Sequence, residues 1–99
     1  MAGETPEETW VLRLYVVGAS IHSTRALANL TNICEERLKG QYSIEVVDLT
    51  VDPQLAAGDE IVAVPTVVRR LPEPVRQLVG DLSDRDKLLV GLQLKPDQV

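Results

Sequence analysis

The side chains of this chain that could carry chemistry are a single cysteine, a single histidine, three closely spaced aspartates and a few arginines. Cys34 has no second cysteine with which to form an internal disulfide. Dithiol exchange needs one thiolate to attack and another thiol to resolve the mixed disulfide, so that chemistry is unsupported. Cys34 also falls at helical spacing with Leu27, Leu30 and Leu38, which makes it a small buried core residue in expectation. His22 has no neighbouring cysteine, second histidine or serine–base pairing and reads as a surface turn residue. Asp81, Asp84 and Asp86 form a carboxylate cluster, but Arg85 and Lys87 interleave with it. Negative charge at a helix start is stabilising in its own right, so helix-end electrostatics accounts for the cluster better than a cation does. No catalytic, cofactor-binding or metal-ligating set is expected. Arg69-Arg70 and Arg76 could meet an acidic partner surface, although exposed arginines flanking a strand are also ordinary.

Those residues have to be positioned by a chain of 99 residues, enough for one domain with one core. Apolar residues make up 44% and charged residues 25%, a composition that folds. Phe is absent, so the core has to be aliphatic. The formal charge of −5 argues against binding to phosphate backbones, which takes clustered Lys and Arg. No apolar run approaches the roughly 18 residues of a membrane span, and the acidic start is unlike a secretion signal. The expectation is a cytoplasmic protein without nucleic-acid or membrane partners. Its organisation is expected as a loose lead over residues 1–9, a domain over 10–94 and a short tail over 95–99, where Pro96 stops regular structure.

WVLRLYVV, from Trp10 to Val17, predicts a buried strand that stops at Gly18. Ser20 and Ser23 are candidate N-caps for an amphipathic helix, which ends at Lys39-Gly40. Tyr42–Leu49 predicts a second strand, so the unit is βαβ with parallel strands. Pro53 suits the first turn of a short helix. Ile61–Arg70 is strand-like, with Pro65 expected at a strand start or edge. After the break at Leu71-Pro72-Glu73-Pro74, Val75–Val79 and a Gly80-Asp81 turn lead to Leu82–Leu94, with Ser83 and Asp86 resembling a capping box. This last segment satisfies two periods at once. Leu88, Val90, Leu92 and Leu94 alternate as in a strand, whereas Leu82, Leu88, Leu89 and Leu92 can share a helical face. Such a pattern is either a limit of pattern reading or the mark of two competing folds for one segment.

The order strand, helix, strand, short helix, strand, strand, helix (βαβαββα) resembles the thioredoxin fold. Asp52-Pro53-Gln54-Leu55-Ala56, Ile61 and Val64-Pro65-Thr66 are similar to that fold's local signature. The resemblance makes Pro65 a candidate cis-proline. Where a thioredoxin carries Cys-x-x-Cys, this chain has Ala19-Ser20-Ile21-His22-Ser23.

LRLYVVG, STRALANL, DPQLA, PTVV and LPEPVRQLVGDLSDRDKLLVGL together resemble the KaiB family over nearly all of Trp10–Leu94. The resemblance implies a non-catalytic clock or timing protein without a cofactor. It implies an alternative, tetrameric βαββααβ fold and a switch of the C-terminal half to the thioredoxin-like arrangement. The switched form would bind the N-terminal ATPase ring of a KaiC-type protein, with KaiA or a SasA-like histidine kinase as further partners and self-association to a dimer or tetramer. Arg25, Arg69 and Arg76 match basic family positions that line clefts in the tetramer. Trp10, Gly91 and Gln93 fall at family positions tied to the switch. Trp10 replaces a tyrosine at the start of the first strand, and Gln93 replaces an aspartate two places after the glycine. Glu45 and Glu60 stand where cyanobacterial members have lysines implicated in KaiC docking, an inversion of sign that would alter the partner surface. The remaining alternatives are a thioredoxin-like redox or stress protein, which would need an exposed Cys34 of depressed pKa, and a sensory-domain-like adaptor for a histidine kinase.

Overall fold

The computed structural model describes residues 9–59, 61 and 63–94. The apolar run at its start forms the inner strand β1 (Trp10–Val16), flanked in the sheet by β2 (Tyr42–Asp48) and β3 (Thr66–Leu71). β4 (Arg76–Val79) completes a four-stranded sheet in the order β2-β1-β3-β4. β1 and β2 are parallel, in register from Trp10↔Tyr42 to Val16↔Asp48. The parallel pair is joined by helix α1 (Ile21–Arg37), as a parallel crossover requires. β3 is antiparallel to both β1 and β4, with Tyr15↔Thr66 and Thr66↔Val79 as paired residues. A 3-10 segment over Pro53–Asp59 precedes β3, and helix α2 (Arg85–Gly91) ends the fold. This is the thioredoxin-like order, with the double-period segment settled here as a helix.

Alternation along β1 sends Leu12, Leu14 and Val16 to one face, where they meet Ala26, Leu30, Ile33 and Cys34 of α1 and Leu88 and Leu92 of the C-terminal segment. The other face holds a smaller cluster of Tyr15, Val47 and Val68, against which Leu49 and Ile61 pack. The Tyr15 hydroxyl donates to the Leu55 carbonyl at 3.1 Å, tying the 3-10 segment to that face.

Several local expectations shift. The α1 cap is Ser20, whose hydroxyl accepts from the Ser23 amide at 3.1 Å. Leu27 does not join the apolar stripe. It is 37% exposed, and Ala26 and Ile33 occupy the buried face beside Leu30 and Cys34. The strand expected from Ile61 starts only at Thr66, directly after Pro65, which has no amide proton to give a ladder. α2 is capped by Asp84 and not Ser83, because the Asp84 carboxylate accepts from the Lys87 amide at 3.1 Å. Asp86 lies in the first turn of α2. Residues 1–8 of the expected lead over 1–9 and the tail over 95–99, with Pro96, lie outside the described residues, as does Glu60.

Candidate functional site

At the end of β1, where a thioredoxin carries its redox pair, the polar groups of this chain serve turns and caps. Gly18 takes φ +58°, the left-handed conformation glycine tolerates best. Its amide donates to Asp48 Oδ1 at 3.0 Å, and the same oxygen accepts from the Thr50 amide at 2.9 Å and the Thr50 hydroxyl at 2.7 Å. The Thr50 hydroxyl, with the two amides, holds the Asp48 carboxyl below the ordinary aspartate value. Ser20 Oγ donates to Ser23 Oγ at 2.9 Å, and the Thr24 hydroxyl donates to the Ser20 carbonyl at 3.0 Å. His22 is exposed in the first turn of α1. Cys34 is fully buried, and burial pushes its thiol up to about 12. It is therefore a protonated core side chain at neutral pH. Among the described residues no group of three or more His, Cys, Asp and Glu side chains is placed to hold a metal ion.

The Val64-Pro65 peptide is cis, and Pro65 is buried at the entrance to β3. Its carbonyl accepts from the Gly80 amide at 2.9 Å, linking the β3 entrance to the turn after β4. That turn is fixed to α1 by the Asn29 side chain, which donates to the Asp81 carbonyl at 2.8 Å. The Ser83 side chain and amide hold the Asp81 carboxyl below its ordinary value, with smaller contributions from Arg25 and His22.

The three candidate arginines separate. Arg25 on α1 and Arg76 at the start of β4 are exposed. Arg69 is not a surface arginine: it is only 3% exposed. Its Nη1 donates to the Leu92 carbonyl at 2.6 Å and its Nη2 to the Pro74 carbonyl at 2.8 Å, while the guanidinium carbon lies 5.2 Å from the centre of the Trp10 ring. In this fold Arg69 is therefore an internal side chain and not one of the exposed arginines flanking a strand. The cause is strand alternation, since the period that sends Val67 into the core sends Arg69 to the same side. Alternation along TVVRRL does not by itself single out Arg69 from Arg70, because Val67 and Val68 are buried on opposite faces of the sheet.

Arg69 also gathers the other singled-out positions, for Leu92 lies between Gly91 and Gln93. Helix α2 ends with the Gln93 amide donating to the Val90 carbonyl at 3.1 Å and the Leu94 amide to the Leu89 carbonyl at 2.9 Å. This is a Schellman motif, with Gln93 in the left-handed position at φ +57° where glycine is usual. Gly91 is the last residue of α2, and a Cβ there would meet the end of the Leu78 side chain at 3.0 Å. Glu45 is exposed and accepts from Arg13 Nε at 2.8 Å.

Comparison with known proteins agrees with this architecture. The KaiB domain family profile matches residues 13–94. The chain belongs to the KaiB family. It is 48% identical over 93 residues to the circadian clock oscillator protein KaiB of Microcystis aeruginosa, covering 94% of this chain and 89% of the relative. It is 50% identical over 88 residues to the protein of that name in a Cyanothece species, covering 89% and 84%. Among solved structures, the N-terminal domain of Synechococcus elongatus SasA aligns with a TM-score of 0.74 at 21% identity, over 100% of this chain and 97% of that one. Mitochondrial thioredoxin 3 of Saccharomyces cerevisiae aligns with a TM-score of 0.68 at 15% identity, over 88% and 79%. The fold of this KaiB-family chain is thus thioredoxin-like, and no helix among its described residues is long and apolar enough to cross a membrane.

Proposed function

We propose that this KaiB-family protein acts without catalysis, in the cytoplasm, by docking through its thioredoxin-like C-terminal half onto the N-terminal ATPase ring of a KaiC-type protein. Docking regulates the ring protein's phosphorylation cycle or output, with KaiA or a SasA-like kinase joining or competing. The observation that carries this reading is the arrangement of β3, β4 and α2, because it is the form that the family resemblance assigns to ring binding. Arg25 and Arg76 are exposed candidates for the contact. Glu45, already paired with Arg13, gives the edge strand β2 a different charge from the lysine-bearing cyanobacterial surface. A resting dimer or tetramer in the βαββααβ fold belongs to the same proposal.

The redox alternative finds little support, since a buried thiol raised to about 12 supplies almost no thiolate at neutral pH. Size-exclusion chromatography with light scattering, with and without a KaiC-type ATPase and ATP, tests the proposal. A stoichiometric complex is expected. Slow complex formation from a tetramer indicates switching, and fast formation from a monomer indicates a constitutively thioredoxin-like protein. Absence of any complex with the cognate ATPase, or co-purification with a histidine kinase alone, contradicts ring docking.

A further inference from the structure

We propose that Arg69 is an internal latch that holds α2 in its thioredoxin-like position, so that partner binding depends on Arg69 without the partner touching it. The inference rests on the proposed ring docking only for its functional half. α2 is seven residues long, too short to persist on its own. Its C-terminal end needs a left-handed conformation at Gln93, a residue without glycine's tolerance for it. The helix therefore depends on what it touches. At its end the Leu92 carbonyl is one of the acceptors a helix leaves unpaired, at the pole where a cation is favoured. Arg69 meets that carbonyl, and its second arm reaches the Pro74 carbonyl in the β3–β4 connection. The plane of the same guanidinium sits by Trp10 at the start of β1. One side chain thereby joins the first strand, the connection and the end of the last helix. Lysine cannot reproduce this, because a single ammonium replaces a planar fork that bonds two carbonyls while lying against a ring.

The test is hydrogen exchange by NMR on the Arg69→Lys protein. The Leu92 and Leu94 amides, bonded to the Leu88 and Leu89 carbonyls, report on the end of α2. The Leu38 and Leu49 amides, bonded to the Cys34 and Val16 carbonyls, report on the N-terminal half. Protection is expected to fall at least tenfold at Leu92 and Leu94 and less than twofold at Leu38 and Leu49. An equal fall in both sets, or none in either, overturns the latch. Should Arg69→Lys fail to fold, Trp10→Phe reduces the ring beside the guanidinium while keeping an aromatic side chain against the core, and a selective loss of about threefold at Leu92 and Leu94 is expected. A uniform change in that variant also overturns it.

In the chromatographic assay Arg69→Lys is expected to weaken complex formation about tenfold, and adding Gln93→Gly, which relieves the left-handed strain, is expected to restore about two- to fivefold of it. Weakening without restoration would put Arg69 at the partner contact and contradict the latch. If wild-type protein forms no complex with a KaiC-type ATPase, the ring-docking proposal fails while the exchange result still decides the latch.

Discussion

Trp10–Asp48 and Thr66–Leu94 build one sheet by different means. The first region has two seven-residue strands in continuous parallel register and a 17-residue helix that buries Ser23, Ala26, Leu30, Ile33 and Cys34 at spacings of three, four and one. Each local preference there agrees with the tertiary placement: the Ser20 cap, the helical stripe, the apolar strand and the glycine at the turn. The second region pairs a six-residue strand with a four-residue one and ends in a helix of seven residues. Two non-glycine residues, Leu82 at φ 64° and Gln93 at φ 57°, adopt left-handed conformations around that helix. Asp84 caps its first turn, and its position rests on Leu88 and Leu92 in the core, Leu89 packed against that core, the Arg85–Glu36 ion pair to α1 and Arg69 at its C-terminal end. A region held by fewer contacts is changed by fewer substitutions.

The contrast is broken most severely by Leu30→Ala. Leu30 is fully buried between α1 and the sheet, and its truncation is expected to cost about 2–5 kcal/mol in urea unfolding, with both regions lost together. Loss of the second region alone would show that α1 does not anchor the whole. Ser20→Ala removes the α1 cap and is expected to cost about 1 kcal/mol, measured as a lower urea midpoint at unchanged slope. Gln93→Gly sharpens the comparison in the opposite direction. Glycine relieves the left-handed strain but orders more chain entropy, for a net gain of about 0.5–1 kcal/mol seen as a higher urea midpoint. An unchanged or lower midpoint would mean that the Schellman turn at Gln93 carries no strain.

The smallest expected effect concerns acid. Asp48 titrates below the ordinary aspartate value of 3.8 in the folded chain, so the unfolded chain takes up its proton first as pH falls. Its contribution is complete above that ordinary value and is lost as pH falls through the folded value. Asp48→Asn removes the charge and is expected to lower the urea midpoint slightly at pH 7 and to converge on the wild type as pH falls from about pH 5 to pH 2, which flattens the acid profile. An identical acid profile in the variant would remove Asp48 from the account.

Much of the first region could be read along the chain because its signals are local. Ser20 marks the helix start and Gly40, in the left-handed conformation, its exit toward β2. Leu27 was misplaced because Ala26, a weak hydrophobic signal, takes the buried position beside it. The second region was legible in order but not in its fastenings. Ser83 and Asp84 are both good caps, and which one bonds the first turn depends on where the turn after Leu82 leaves the backbone. The burial of Arg69 is not legible, because charge usually marks exposure, whereas its partners are carbonyls of the β3–β4 connection and of the end of α2 and a ring on β1. The Leu82–Leu94 pattern fits two periods, and only the contacts of Leu88 and Leu92 with the α1 side of the sheet select the helix.

Trp10–Asp48 is secured redundantly and Thr66–Leu94 by fewer contacts, a difference in local stability. Native-state hydrogen exchange of the wild-type protein tests it most directly. The Leu38 and Leu49 amides are expected to exchange only through global unfolding, while the Leu92 and Leu94 amides open at lower free energy through a separate, local event. Identical exchange free energies for the two sets, with the same denaturant dependence, would contradict the account.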